Sequence, residues 1–346
     1  MPNPLNKTTI KEVAALAGVS IATVSRVINN SGSVSPKLRF KVDAAIERLN
    51  YSPNNVARSL KTNKSQTVGV VIVNLYLPFF ASAVYYLENN LRQLGYGMLI
   101  TSHHDDAQLE RQCLDEMLQA RVDAIIVAPT NANDAILEKI QQQGTPVLLL
   151  DRISANQKLF SVSTDKVNGF YKLANELYRA GHRNLGIITG THDIISNQNR
   201  YDGLLSFARD VGLSRSRIIS RAGANVGTED FGYETGKELL SLPKASRPTG
   251  VLLGNITLTY GFLHSCYEAG LRVPEDISVT TLGNFYSPHI IPLKLTYMDD
   301  QAEDISEIGV KMLYDMLEGK SEDTSCNKIP ARIIQGKSIA PARLSE

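Results

Sequence analysis

The sequence predicts an all-α helix-turn-helix head with a short hinge helix, followed by an α/β body of two lobes, each a doubly wound parallel sheet. Within residues 8–50, apolar residues recur at helical spacing, and capping residues and a glycine turn separate the first two helices. From residue 67 onward, apolar runs of strand length alternate with helical stretches, as in a parallel sheet covered on both faces. We therefore expect residues 1–52 to form the head, 53–66 the hinge and 67–346 the body.

The first helix of the head has a strong start signal. Thr9 is a favourable N-cap residue, and Glu12 follows three positions later, as in a capping box. Gly18 suits the turn that follows this helix, and Ser20 suits the N-cap of the second helix. The apolar side of the first helix consists of Ile10, Val13, Ala14, Leu16 and Ala17.

The second helix buries one narrow stripe and leaves other residues outside. Val24, Val27 and Ile28 are predicted to face inward. The residues on its other faces are Ile21, Ala22, Ser25, Arg26 and Asn29. So short a helix needs a partner for stability, and its outer residues can then enter a DNA major groove. A third helix is expected to begin after Ser35 and to end near Tyr51.

Charge is distributed unevenly along the chain. The formal net charge is only +1 over 346 residues, but residues 1–64 hold ten Lys and Arg against three acids, a net charge of +7. The remainder carries a net charge of −6. A small basic head on a larger acidic body indicates that the head binds a polyanion. Together with the helix-turn-helix pattern, this predicts DNA binding.

Residues 53–60 are the predicted hinge helix. Pro53 suits a first helical turn, and Val56 and Leu60 share one face at i, i+4. A helix of about eight residues is shorter than the ~12–15 residues that an isolated helix needs. We therefore expect this segment to fold only when something stabilises it.

The body contains two sets of alternating strand and helix patterns. In the first set, strands are predicted near 68–73, 97–101, 123–128 and 146–150, and helices near 80–94, 106–120 and 132–143. In the second set, strands are predicted near 185–189, 217–221, 250–254 and 277–282, and helices near 168–180, 198–211, 229–241 and 258–269. A last long helix is predicted at about 301–318. The expected lobes are about 67–164 plus 296–324 and about 165–290 plus 325–346. A ligand cleft is expected between them, outside the carboxyl ends of the strands.

Composition and motifs argue against several function classes. There is no long uncharged apolar run and no signal-peptide pattern, so we expect a cytoplasmic protein without membrane contact. The three cysteines lie far apart and are expected to be reduced thiols. No catalytic or phosphate-binding motif is found, so neither an enzyme nor a cofactor is expected. Residues 103–106 (HHDD) are rich in metal-ligand types, but a polar loop at the cleft edge is favoured over a metal site.

A series of motifs runs in order through nearly the whole chain. They are IKEVA at 10–14, AGVS at 17–20, TVSRVIN at 23–29, YSPN at 51–54, ARSL at 57–60, TVGVV at 67–71, PFF at 78–80, VDAII at 122–126, GHR at 181–183 and GLRVPEDISV at 270–279. In order and spacing these motifs resemble the LacI/GalR (lactose-repressor) family of bacterial transcription regulators. The resemblance implies a periplasmic-binding-protein-like body and a nucleoid-associated homodimer. Such a dimer represses carbohydrate metabolism genes from a pseudo-palindromic operator.

The family's base-reading positions correspond to Ile21, Ala22 and Arg26. Arg26 can contact guanine O6 and N7 in a bidentate manner, whereas Ile21 and Ala22 offer apolar contact alone. This triple is similar to that of members that bind A/T-rich arms around a central C-G step. Candidates for phosphate positioning are Thr9, Ser20, Thr23, Ser25, Asn29 and Lys37. For Thr23 and Ser25 the alternative is that they only cap or solvate the helix.

The hinge motif implies a second set of DNA-binding residues. These are Asn54, Val56, Ala57, Arg58 and Leu60. Leu60 resembles the family's wedge, which enters the minor groove at the operator centre and kinks the duplex. The alternative is an ordinary apolar linker residue. Val56 and Ala57 are expected to pack on the hinge helix of a second subunit.

The resemblance also implies a cleft for a small-molecule effector. Its candidate residues are Leu77, Phe79, Asp151, Asp165, Arg200, Phe231, Asn255 and Asn284. Ile256 and Gly283 stand where the family often has acids that bracket neutral sugar hydroxyls. Because Arg200 is kept, the cleft is predicted to favour an anionic effector, such as a sugar phosphate or sugar acid. An atypical neutral ligand, or a protein partner in place of a ligand, remains open.

A ligand-gated regulator is thus the favoured interpretation, with a global regulator gated by a protein corepressor as an alternative. A sugar-binding protein without DNA function would share the two-lobed body. The basic head and the lack of a signal peptide argue against that class. Tyr85, Tyr86 and the other apolar residues of 80–94 are expected to form core and dimer interface rather than a ligand site.

Overall fold

A computed structural model describes residues 8–28, 31–51, 64–154, 158–223, 228–285, 289, 291–320 and 326–342. The chain divides into two compact units, Met1–Ser65 and Gln66–Glu346. Six predicted DNA-binding residues lie outside the described residues: Asn29, Asn54, Val56, Ala57, Arg58 and Leu60. The hinge therefore stays a prediction. None of the described helices is long and apolar enough to cross a membrane.

The described residues of the head form three helices: α1 (Ile10–Ala17), α2 (Ile21–Ile28) and α3 (Pro36–Arg48). The predicted capping box is confirmed, since Thr9 N donates to Glu12 Oε2 at 2.6 Å and Glu12 N donates to Thr9 Oγ1 at 3.4 Å. Gly18 ends α1 with φ +65°, a conformation that glycine adopts without strain. The helices are held together by a small core: Val13, Ala14, Ala17, Val24, Val27, Val42 and Ala45.

The body continues the chain in an alternating order. Its elements are β1 (Thr67–Ile72), α4 (Pro78–Gln93), β2 (Gly97–Ser102), α5 (Ala107–Gln119), β3 (Ala124–Val127), α6 (Asp134–Gln142), β4 (Val147–Leu150), β5 (Phe160–Thr164), α7 (Lys166–Arg179), β6 (Leu185–Thr189), α8 (Ile195–Asp210), β7 (Ile218–Ala222), α9 (Glu229–Ser241), β8 (Gly250–Leu253), α10 (Ile256–Glu268), β9 (Ser278–Leu282), β10 (Thr296–Met298), α11 (Ala302–Leu317), β11 (Cys326–Ile329) and β12 (Ile333–Ile334). A 3₁₀ turn, Arg215–Arg217, precedes β7.

These strands form one six-stranded sheet in each lobe. Lobe 1 has the order β11-β5-β4-β3-β1-β2, and all its pairs are parallel. Lobe 2 has the order β12-β10-β9-β8-β6-β7, and only its β10–β12 pair is antiparallel. Helices cover both faces of each sheet. In β1, for example, Val70 belongs to the core under α4 and α11, and the next residue, Val71, to the core under α5 and α6.

Two of the predicted lobe boundaries are wrong. Residues 296–298 form β10, which pairs with β9 in lobe 2, although they were expected in lobe 1. Residues 326–329 form β11, which pairs with β5 in lobe 1, although they were expected in lobe 2. Neither strand has a strong sequence signal, because β10 has three residues and β11 is an edge strand with exposed Cys, Asn and Lys side chains. Strands β5 and β12 were not predicted either.

Candidate functional site

The outer face of α2 carries the predicted base-reading residues. Ile21 is 44% exposed, Ala22 and Arg26 are also exposed, and Val24 and Val27 of the same helix are buried. Since Ala22 and Arg26 are four positions apart, they share one face of the helix. Within the described residues, no acid forms an ion pair with Arg26, so its guanidinium is available to an external acceptor.

Of the predicted phosphate-positioning residues, two of those that the structure describes, Thr9 and Ser20, cap helices of the head. Ser20 Oγ accepts from Thr23 N at 3.2 Å and lies 2.9 Å from Thr23 Oγ1. Thr9 belongs to the capping box, Lys37 is exposed in the first turn of α3, and Ser25 is half-buried. Ser20 is therefore the cap of α2, and the Thr23 hydroxyl contacts the hydroxyl of that cap. A hydroxyl that caps a helix can still form a further hydrogen bond, so capping does not exclude a phosphate contact. Phosphate contact by these residues stays a prediction.

A cavity lies between the two lobes, where strands of both sheets end. Of the predicted effector residues, Leu77, Phe79, Asp151, Arg200 and Asn255 line it, together with Ile256 and Gly283. The empty space is about 710 Å³, counting the solvent at its mouth. Polar lining residues that the sequence analysis missed are Arg152, Thr164, Ser196, Asn197, Thr257 and Asp300. The location agrees with the general rule that ligands bind outside the carboxyl ends of parallel strands.

The structure does not bring three predicted residues to this cavity. Asp165 is the N-cap of α7, and its Oδ1 accepts from Asn168 N at 3.0 Å. Phe231 packs into a core of lobe 2, where a Cβ placed on Gly223 would meet its ring at 2.9 Å. Asn284 is half-buried and accepts from Phe285 N at 2.8 Å. Capping and packing account for these side chains.

Two of the lining charges are paired within the protein. Lys166 Nζ donates to Asp151 Oδ1 at 2.7 Å and to the Asp151 carbonyl at 3.0 Å. Arg152 makes a two-point pair with Asp105, with N–O distances of 2.5 and 3.2 Å. Burial lowers the pKa of Lys166, and the neighbouring Asp151 carboxylate opposes that shift. These groups shape the cavity without adding net charge.

Among the described lining residues, Arg200 is a cation without an ion-pair partner. Its side chain lies in α8, is 8% exposed, and donates through one terminal nitrogen to Asn197 Oδ1. Its Nε has no hydrogen-bond partner among the described residues. Burial lowers the pKa of Arg200 to about 10, which leaves the guanidinium charged at neutral pH. A buried N–H without an acceptor is costly, so a ligand acceptor at this position gains binding energy.

Asp300 lies two residues after the end of β10 and supplies a carboxylate that the sequence analysis did not expect in the cavity. Burial, and then the charges of Asp299 and Asp151, raise its pKa to about 6. Among the described residues it forms no ion pair. A Cβ placed on Gly283 would lie 3.6 Å from Asp300 Oδ2. Positions 256 and 283 lack acids, as the sequence shows, but the cavity still has a carboxylate beside Gly283, because Asp300 supplies it. The expectation of a cavity with fewer carboxylates is corrected to this extent.

The loop at 103–106 has structural contacts. His103 is fully buried, its Nδ1 accepts from Asp105 N at 3.1 Å, and its Nε2 lies 2.9 Å from the Ala128 carbonyl. Burial lowers the pKa of His103, which favours the neutral ring. Among the described residues, no cluster of three or more His, Cys, Asp or Glu side chains could hold a metal ion.

Comparison with protein families gives matches to both units. A model of bacterial regulatory proteins of the lacI family matches residues 9–54, and a model of the periplasmic binding protein-like domain matches residues 174–339. The HTH-type transcriptional repressor PurR of Proteus mirabilis is 30% identical over 336 residues, which are 96% of this chain and 97% of that repressor. Catabolite control protein A of Priestia megaterium is 29% identical over 329 residues, which are 94% of this chain and 97% of that protein.

Solved structures agree with the sequence matches. The crystal structure of the Lac repressor dimer bound to operator and the anti-inducer ONPF is similar with a TM-score of 0.86 and 25% identity. The match covers 97% of this chain and 100% of that one. The likeness therefore extends over nearly the whole chain.

Proposed function

Because the chain belongs to the LacI family of bacterial regulatory proteins, we propose that it represses carbohydrate metabolism genes under the control of a small molecule. Its relatives are DNA-binding transcription regulators, not enzymes, so the general function is regulation of transcription. In the specific proposal, a homodimer binds a pseudo-palindromic operator, and the effector binds in the cavity between the lobes.

The exposed face of α2 is the observation that carries the proposal. It places Arg26 beside the small apolar residue Ala22, on a head whose net charge favours a polyanion. An arginine in this position can recognise guanine, and an apolar neighbour fits a thymine methyl group. Two copies related by a two-fold axis would present this face twice, which requires an operator with inverted half-sites.

The proposed dimer has support in an exposed aromatic residue of α4. Tyr85 is 62% exposed, and its ring packs edge-on against Tyr86. Tyr76, just before α4, is 79% exposed. Large exposed aromatic side chains are enriched at protein interfaces, since they bury much apolar area at small entropic cost.

In vitro selection of DNA tests this function. We expect the full chain to enrich duplexes with inverted half-sites from a random library. Enrichment of no sequence, or of sequences without internal symmetry, contradicts the proposal.

Replacing Arg26 with Ala should weaken binding to the selected duplex and relax the preference at one base pair of each half-site. We expect a loss of about 5- to 150-fold, since one bidentate arginine–guanine contact contributes ~1–3 kcal/mol of discrimination. Arg39, a cation of α3 in the same unit, gives the matched control, Arg39→Ala. Binding isotherms on duplexes with single base changes measure both effects. An R26A variant with unchanged affinity and selectivity shows that Arg26 does not read bases.

We propose an anionic effector, such as a sugar acid or sugar phosphate, with its anionic group on Arg200. The unpartnered Nε of Arg200 supports an acceptor there, and the Asp300 carboxylate suits hydroxyl donors elsewhere on the same ligand. A thermal-shift screen of paired neutral and anionic sugars tests this class, because a ligand that binds only the folded chain raises its melting temperature. Stabilisation by neutral sugars alone contradicts it.

A further inference from the structure

The loop that follows β3 reaches from lobe 1 to the start of α8 in lobe 2. Asn131, in this loop, has φ +70°. Its Oδ1 accepts from Ile195 N, the first amide of α8, at 3.2 Å. Its Nδ2 donates to the Ile153 carbonyl of lobe 1 at 2.8 Å. One side chain therefore joins the two lobes next to the cavity.

Helix α8 has no cap of its own. Its N-cap residue is Ile194, whose apolar side chain forms no capping hydrogen bond. The first amides of a helix lack partners within the helix and require an external acceptor. Asn131 supplies one from the other lobe, to the helix that carries Asn197 and Arg200.

Side chains of lobe 1 hold the loop that contains Asn131 in place. The fully buried carboxylate of Glu110 accepts from Thr130 N at 3.1 Å, from Thr130 Oγ1 at 2.5 Å and from Asn133 Nδ2 at 2.7 Å. These bonds fix the residues on both sides of Asn131 without any contribution from lobe 2. The position of the cap is therefore set by lobe 1, and the position of the helix that receives it by lobe 2.

We propose that Asn131 is an inter-lobe latch, which caps α8 only while the lobes touch at the cavity and so couples the lobe arrangement to the effector-binding helix. The proposal deepens the proposed function and rests on it for its regulatory part. An increase of several tenths of an ångström in the distance of 3.2 Å takes the bond outside hydrogen-bonding range. Lobe separation then leaves the first turn of α8, and with it Arg200, less ordered.

Substitution of Asn131 by Gly removes the cap and accommodates the positive φ of this position without strain. In amide hydrogen exchange on the full chain, N131G should increase exchange at Ile195 by about 3- to 10-fold, the usual equilibrium effect of one lost hydrogen bond. N131D keeps the acceptor oxygen for Ile195 N but loses the donor to the Ile153 carbonyl, so it should retain part of the protection that N131G loses. Val211, whose amide bonds to Phe207 at the far end of α8, should exchange equally in all three proteins.

The regulatory part is measured on the duplex that the wild-type chain selects. N131G should bind it about 3- to 10-fold more weakly if the lobe arrangement that the latch holds is the one that binds DNA, because the loss of the bond shifts the population away from that arrangement. Unchanged protection of Ile195, or lost protection with unchanged DNA affinity, overturns the proposal. If the wild-type chain selects no duplex, the proposed function fails, while the exchange comparison still decides whether the latch exists.

Discussion

Substitution of Arg200 by Gln should abolish the response to the effector without affecting DNA binding. Arg200 is buried in the cavity wall, and the loss of one partner of a buried charge pair costs about 2–5 kcal/mol. We therefore expect the affinity for the anionic sugar found in the thermal-shift screen to fall by at least about 30-fold. Titration calorimetry on the full chain measures the loss.

Arg209 provides the matched control for this substitution. It lies exposed near the end of the same helix, so Arg209→Gln makes the same chemical change away from the cavity. Arg200→Lys separates charge from geometry, since lysine keeps the charge but loses the planar fork that binds an anion at two points. We expect R209Q to match the wild type and R200K to be intermediate. Wild-type affinity in R200Q would show that the ligand binds elsewhere.

Substitution of Asp300 by Asn should stabilise the empty body at neutral pH. In the folded chain the pKa of Asp300 is about 6, against an ordinary value of 3.8. Below pH 3.8 the carboxyl group is protonated in both states and contributes no pH dependence. Between pH 3.8 and 6 the unfolded chain releases this proton first, so the free energy of unfolding falls by about 3 kcal/mol as the pH rises.

The D300N variant lacks this titration. Denaturant unfolding should show that D300N exceeds the wild type by up to about 3 kcal/mol at pH 7.5 and that the difference disappears below pH 4. Glu307 is an exposed acid of α11, and Glu307→Gln should leave the stability unchanged. A D300N variant that is less stable than the wild type at pH 7.5 would mean that the hydrogen bond from the Ala302 backbone outweighs the cost of burying the charge. A carboxylate that destabilises the empty cavity remains available to ligand donors.

The head and the body order could be predicted from local signals. Thr9 and Glu12 fix the start of α1 through hydrogen bonds, and Gly18 fixes its end through its positive φ. These signals involve near neighbours only. Apolar runs such as 250–253 are strands because both of their faces are buried, and the composition shows this directly. The family resemblance predicted that Arg200 and Asp151 belong to an effector cleft, and in the structure both residues line the cavity between the lobes.

The site residues that the sequence analysis missed depend on contacts between residues that are distant in the sequence. Asp300 enters the cavity because β10 joins lobe 2 through pairing with β9, and a three-residue strand has no reliable periodicity. Asn131 caps a helix that begins 64 residues later, so no local capping rule could identify it. Asp165 and Asn284 look like cleft residues in the sequence, but near neighbours engage both side chains.

The salt dependence of specific DNA binding tests the central claim most directly. The claim is that the basic head reads an operator through α2 and neutralises its phosphates. Fluorescence anisotropy of the full chain should show at least about 1000-fold tighter binding to the selected duplex than to a scrambled one. If about six phosphates are neutralised, doubling the salt concentration should weaken binding by about 40-fold. Equal affinity for both duplexes, or affinity that does not change with salt, would contradict the claim.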